Sequence, residues 1–187
     1  MAELLQARGP FADGGLPLAH GAARLAEFAP GAILSIMPFR GREEAVGSAL
    51  GLDLPADGSS ATGPAGRLVW AGRRAWLLFA EVAPEGLAER LSGLAAVTDL
   101  SDGYAGLSLS GENARAVLAR LCPLDLAGES FADGAAARSL IGHIGVHLIR
   151  NGEAFEILAL RSYASSLLHD VTTAMRSVAA QRQMAAG

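Results

Sequence analysis

His143 and His147 stand four residues apart, the interval that brings two imidazoles together on a helix to hold zinc. Gly142 and Gly145 disfavour a helix here, and on a strand the same interval separates the two side chains by about 13 Å. The pair therefore cannot share one metal ion. Cys122 is the only cysteine, which excludes an internal disulfide and any multi-cysteine metal or iron–sulfur site. It lies between a helix end and Pro123, where it reads as a small buried apolar side chain. Asp125, in Cys122-Pro123-Leu124-Asp125-Leu126, is a lone carboxylate among apolar neighbours. Such a group either caps backbone N–H groups in a turn or works as an acid or base, and the turn reading is favoured. Arg161 is placed to pair with Asp99, Asp102 or Asp125, or with an acidic group on a partner. Arg73-Arg74 reads as a solvated hairpin tip, with a partner contact as the second reading.

Several chemistries are excluded outright. All 15 basic residues are arginine, so there is no Schiff-base lysine, no P-loop lysine and no lysine general base. Neither a G-x-S-x-G elbow nor a dinucleotide G-x-G-x-x-G is present. Gly103-Tyr104-Ala105-Gly106 precedes a strand and not a helix, so a phosphate would meet no helix dipole there. A net charge of −4 without a basic stretch interleaved with aromatics argues against nucleic acid. No apolar run approaches the length of a spanning helix, and no secretory signal opens the chain, so the expected location is cytoplasmic, away from the membrane.

The elements that must position these residues read as α+β. Ile33 to Phe39 is a strand leading into a helix over Glu43–Leu50. Leu68–Trp70 and Trp76–Phe79 form a hairpin after a Gly/Pro/Ser-rich loop at 57–66, and Pro84 opens a helix through Leu91. In the second half Ala96–Leu100 is an edge or linking strand and Tyr104–Ser110 a half-buried one, followed by a helix over Asn113–Leu121. Ser139–Arg150 and Ala154–Leu160 are joined by Asn151-Gly152, a strong hairpin signal. The last helix starts near Ser162 as N-cap, with Ala164, Leu167, Leu168, Val171, Met175 and Val178 along one stripe. The chain thus divides into an irregular arm at 1–30, ordered only against another chain, and two β-α-β-β-α halves with mainly antiparallel sheet, 31–95 and 96–187, forming one compact unit.

Leu100-Ser101-Asp102-Gly103-Tyr104, Leu107 to Arg115, Cys122 to Leu126, Phe131, Gly134, the hairpin and Arg161-Ser162-Tyr163-Ala164 together resemble the gamma subunit of heterotetrameric sarcosine oxidase. More widely they resemble the folate-binding fold of the glycine-cleavage aminomethyltransferase. The resemblance implies a structural subunit without active site, cofactor or metal of its own. Its partners would be the alpha, beta and delta subunits, which carry FAD, FMN, NAD, tetrahydrofolate and zinc and demethylate sarcosine to glycine, passing the methyl carbon to tetrahydrofolate. Asp125 falls where the aminomethyltransferases hold a catalytic aspartate, but Leu124 replaces the expected polar residue and Arg161-Ser162 the expected asparagine. Asp125 then becomes a retained structural carboxylate paired with Arg161, while Arg161, Ser162, Tyr163, Arg73 and Arg74 become structural or interface candidates. The alternative is a free-standing folate-binding or aminomethyltransferase-like protein using Asp125.

Overall fold

The computed structural model describes residues 8–186. Among the described residues eleven strands fall into two sheets, and every ladder in both is antiparallel. The first sheet contains β3 (Ala32–Pro38), β4 (Ser60–Gly63), β5 (Gly66–Gly72), β6 (Ala75–Ala80) and β7 (Ala95–Asp99), in the order β4-β5-β6-β3-β7. The second contains β1 (Leu18–His20), β2 (Ala23–Glu27), β8 (Tyr104–Ser110), β9 (Ala136–Ile141), β10 (Ile144–Asn151) and β11 (Ala154–Leu160), in the order β1-β2-β8-β11-β10-β9.

The two sheets are built alike. Each half runs strand, helix, three-strand meander, helix: β3, α1 (Glu43–Leu50), β4-β5-β6 and α2 (Leu87–Arg90), then β8, α3 (Ala114–Leu118), β9-β10-β11 and α4 (Ala164–Ala186). The strand preceding each half pairs in the other half's sheet: β2 lies beside β8, and β7 lies beside β3. This reciprocal exchange ties the halves together through backbone hydrogen bonds. Edge strand β4 meets the loop that precedes β9, where Ser60 N–H donates to the Gly134 carbonyl at 2.7 Å.

Burial explains the layering. Val46, Leu50, Leu87 and Leu91 pack with Leu34, Ile36, Leu68 and Leu78 on the outer face of the first sheet. Ala114, Val117, Leu167, Val171 and Met175 do the same on the second sheet, against Leu107, Leu109, Leu148 and Ile157. Between the sheets Ile33, Val69, Leu77 and Phe79 meet Ala136, Ile149 and Leu158. The order is helix, sheet, sheet, helix, with strands nearly apolar on both faces because both faces are covered.

Several expectations are revised. Each half carries one strand more than β-α-β-β-α. Ser60–Gly63 pairs with β5 although its Ser/Thr/Gly composition reads as loop, and the long Ser139–Arg150 run breaks at Gly142, whose φ of +58° makes a turn between β9 and β10. The 1–30 segment is no irregular arm over its later part. Its alternation in Ala23-Arg24-Leu25-Ala26-Glu27 places Ala23 and Leu25 in the core of the second sheet, and Phe11 is buried there too; residues 1–7 lie outside the described residues. Pro84 precedes α2 by a turn in which its carbonyl accepts the Leu87 N–H. Ser162 is exposed inside a 3-10 turn, Arg161–Tyr163, so α4 starts at Ala164.

Candidate interface on the inner face of the second sheet

The carboxylate singled out in the sequence is turned into its own loop. Asp125 is exposed; it accepts the Ala127 N–H at 2.9 Å and the Ser130 hydroxyl at 2.7 Å. These two hydrogen bonds, the backbone one foremost, hold its pKa below the ordinary carboxylate value. This is an Asx-type turn. Arg161 is not its partner: the guanidinium donates to the Arg8 carbonyl, and Asp99 is engaged by the Ser101 N–H and hydroxyl. Ser162 and Tyr163 stand exposed beside Arg161.

The hairpin-tip arginines differ from each other. Arg73 is exposed, whereas Arg74 is held in the left-handed region at φ +57°. It pairs with Glu43 at 3.0 Å and donates to the Pro38 carbonyl at 3.1 Å, which ties the tip to the start of α1. Cys122 is buried, its sulfur 3.3 Å from the Ser139 hydroxyl. His143 sits exposed in the β9–β10 turn and His147 within β10. Among the described residues no cluster of three or more His, Cys, Asp or Glu could hold a metal ion.

Two polar constellations between the sheets escaped the sequence reading. In the first, Glu156 on β11 is buried and ion-paired with Arg67 on β5 of the opposite sheet. Its other oxygen accepts the Asn151 side-chain amide at 2.7 Å. The Arg67 guanidinium also lies 5.8 and 5.5 Å from the rings of Phe28 and Phe79, a cation–π arrangement that adds to the pairing. Arg67 and Glu156 are 89 residues apart, so no local spacing rule could have linked them.

The second constellation is a cavity of ≈ 550 Å³ lined by Tyr104, Arg138, Ser139, Leu140, Gly145, Val146, His147 and Leu160. Strand register builds it. Arg138 stands opposite His147, Leu140 opposite Gly145, and Leu160 opposite Tyr104. Side chains alternate across a strand, so Tyr104, Arg138, Leu140, His147 and Leu160 share the inner face, whose central position is Gly145. With no side chain at Gly145, the row Leu140-Gly145-Leu160-Tyr104 has a gap in its floor. The Tyr104 hydroxyl lies 3.4 Å from His147 Nε2, and His147 Nδ1 is buried without a hydrogen-bond partner among the described residues. Burial, helped by the Arg138 charge, pushes the His147 pKa down to about 4. Burial raises that of Tyr104, with Arg138 opposing.

A pH dependence follows. The folded chain holds His147 neutral while the unfolded chain protonates it near 6.5, so below that value the unfolded state binds more protons. Stability should fall as pH drops from about 6.5 to about 4, by on the order of 2–3 kcal/mol, and level off below. Urea unfolding across this range checks it, and His147→Phe should remove that component of the slope.

Similar proteins place this geometry. Residues 37–175 match the sarcosine oxidase, gamma subunit family. The sarcosine oxidase subunit gamma of Corynebacterium sp. (strain P-1) is 32% identical over 148 residues, covering 76% of this chain and 72% of the relative. The chain belongs to the sarcosine oxidase gamma subunit family. Among solved structures, the heterotetrameric sarcosine oxidase of Corynebacterium sp. U-96, in complex with pyrrole 2-carboxylate, contains a chain that superposes with a TM-score of 0.81 at 28% identity. That superposition covers 92% of this chain and 96% of that one. The glycine cleavage system aminomethyltransferase T of Bartonella henselae superposes at 0.61 and 20% identity, over 82% of this chain and 46% of that one. This chain therefore shares its fold with that aminomethyltransferase. The gamma-family match spans β8 to β11 and so takes in every residue lining the cavity. The one signal that could have found that cavity was Gly145, since a glycine inside a strand pattern often marks close approach by a ligand or another backbone.

Proposed function

We propose that the chain is the non-catalytic gamma subunit of a heterotetrameric sarcosine oxidase, bracing alpha, beta and delta subunits in the cytoplasm. In this reading FAD, FMN, NAD, tetrahydrofolate and zinc are held by those partners, which demethylate sarcosine to glycine and pass the methyl carbon to tetrahydrofolate. The observation that carries it is the near full-length superposition on a chain of the heterotetrameric enzyme. The Asp125 turn supports it, because a carboxylate already engaged by Ala127 and Ser130 is poorly placed to act as a base. So do the exposed apolar side chains Met37, Phe39, Leu140, Leu160 and Tyr163, each between 46% and 52% exposed, which suit a covered surface. Among the described residues no helix is long and apolar enough to cross a membrane.

Produced alone, the chain should self-associate or precipitate, and co-production with the flavin-containing partners should bring it into solution. A stable monomer in isolation would count against the proposal. Asp125→Asn should leave the sarcosine oxidation and folate-dependent methyl transfer of the complex unchanged. A loss of methyl transfer would favour a folate-binding role for this chain.

A further inference from the structure

The cavity on the inner face of the second sheet combines three properties that suit an anionic occupant. The first is an exposed cation open to a partner: among the described residues no carboxylate lies within ion-pair distance of Arg138. Its side chain is held against the first sheet's hairpin, where a Cβ at Gly72 would lie 3.5 Å from the guanidinium. The second is a pair of polar groups behind it, the Tyr104 hydroxyl and the His147 ring. The third is an apolar rim, with Leu140 46% and Leu160 52% exposed at the mouth. A planar carboxylate matches a guanidinium fork and would accept the Tyr104 O–H as well. Apolar side chains around it would exclude water and strengthen the pairing.

Gly145 makes the depth. Strands favour β-branched and aromatic residues, yet this second position of β10 has no side chain, although its backbone is of ordinary hand and a Cβ there would meet nothing within 4 Å. Neither backbone strain nor crowding within this chain requires glycine. A strand glycine of this kind leaves room for another backbone or a ligand to approach closely.

We infer that this cavity is the socket for an acidic segment of a partner subunit, a side-chain or C-terminal carboxylate bound by Arg138 and Tyr104 with flanking apolar residues seated on Leu140 and Leu160. The inference rests on the assembly role proposed above. Charge complementarity selects the occupant: a basic or purely apolar segment would leave Arg138 desolvated and unpaired.

The test uses the complex. The chain is co-produced with its partner subunits, one of them tagged, and the amount retained on the tag is measured over a series of salt washes. Arg138→Glu should lower retention on the order of thirtyfold and abolish its salt dependence. Gly145→Leu, which plugs the floor without strain, should lower it comparably, and circular dichroism on the co-purified material monitors folding. Arg90→Glu, the same charge change on exposed α2, should retain the wild-type amount. Failure of the wild-type chain to be retained at all overturns the assembly role itself. Retention of wild type with both variants undiminished overturns the socket alone. A loss with Arg138→Glu but none with Gly145→Leu also overturns it, because the charge would then act from the rim.

Discussion

Replacing Glu156 by alanine is expected to lower the unfolding free energy by about 3–5 kcal/mol, the range for breaking a buried ion pair by removing one partner. Glu156 is 4% exposed and sits between Arg67 of the opposite sheet and Asn151 at the end of β10. Its loss leaves the Arg67 guanidinium between Phe28 and Phe79 with only its cation–π contacts. The cost is one of an unpaired buried charge, not of lost attraction. Removing both charges, as in Arg67→Met with Glu156→Leu, should therefore recover most of the stability. Urea unfolding of the two variants against wild type decides the matter: a double variant as unstable as the single one would show that the pair itself supplies the stability.

Phe155→Ala should cost a similar amount, about 3–5 kcal/mol. The ring is fully buried, stacks on Phe131 at 6.3 Å, and carries the buried Arg150 guanidinium 4.4 Å from its centroid. Truncation opens a cavity in the largest cluster of the core and removes the aromatic face that Arg150 rests on. The cavity term depends on how far neighbours collapse, and strand β11, paired on both sides, leaves them little freedom. Phe155→Leu should recover more than half of the loss in the same unfolding measurement.

What was legible in the chain follows the reach of each physical rule. Periodicity of 3.6 found α1 and the apolar stripe of α4, and period two found β8, because these signals lie within a few residues. The hairpin signalled by Asn151-Gly152 was legible for the same reason, although its two turn residues are Gly152, at φ +56°, and Glu153, with Asn151 paired to Ala154 in the ladder. The β4 strand was hidden because Ser60-Ala61-Thr62-Gly63 has no apolar face to reveal. The exchange of β2 and β7 between sheets was hidden because no short-range pattern records which half a strand will join.

The site residues divide the same way. The Asx turn at Asp125 uses neighbours two and five residues on, within reach of local sequence rules. The expected Asp125–Arg161 pair and the solvated reading of Arg74 depended on distant parts of the chain, and both failed. His143 lies in the β9–β10 turn and not on the expected strand, and the place of His147 opposite Arg138 and beside Tyr104 depends on a register across several strands.

The central proposal, that this gamma-family chain serves as a subunit and not as an enzyme by itself, is tested most directly by native mass spectrometry of the chain co-produced with the alpha, beta and delta subunits proposed as its partners. The predicted result is one species with one copy of each of the four, with the flavin retained by subcomplexes that lack this chain. A chain recovered alone that binds tetrahydrofolate stoichiometrically, and loses it on Asp125→Asn, would contradict the account.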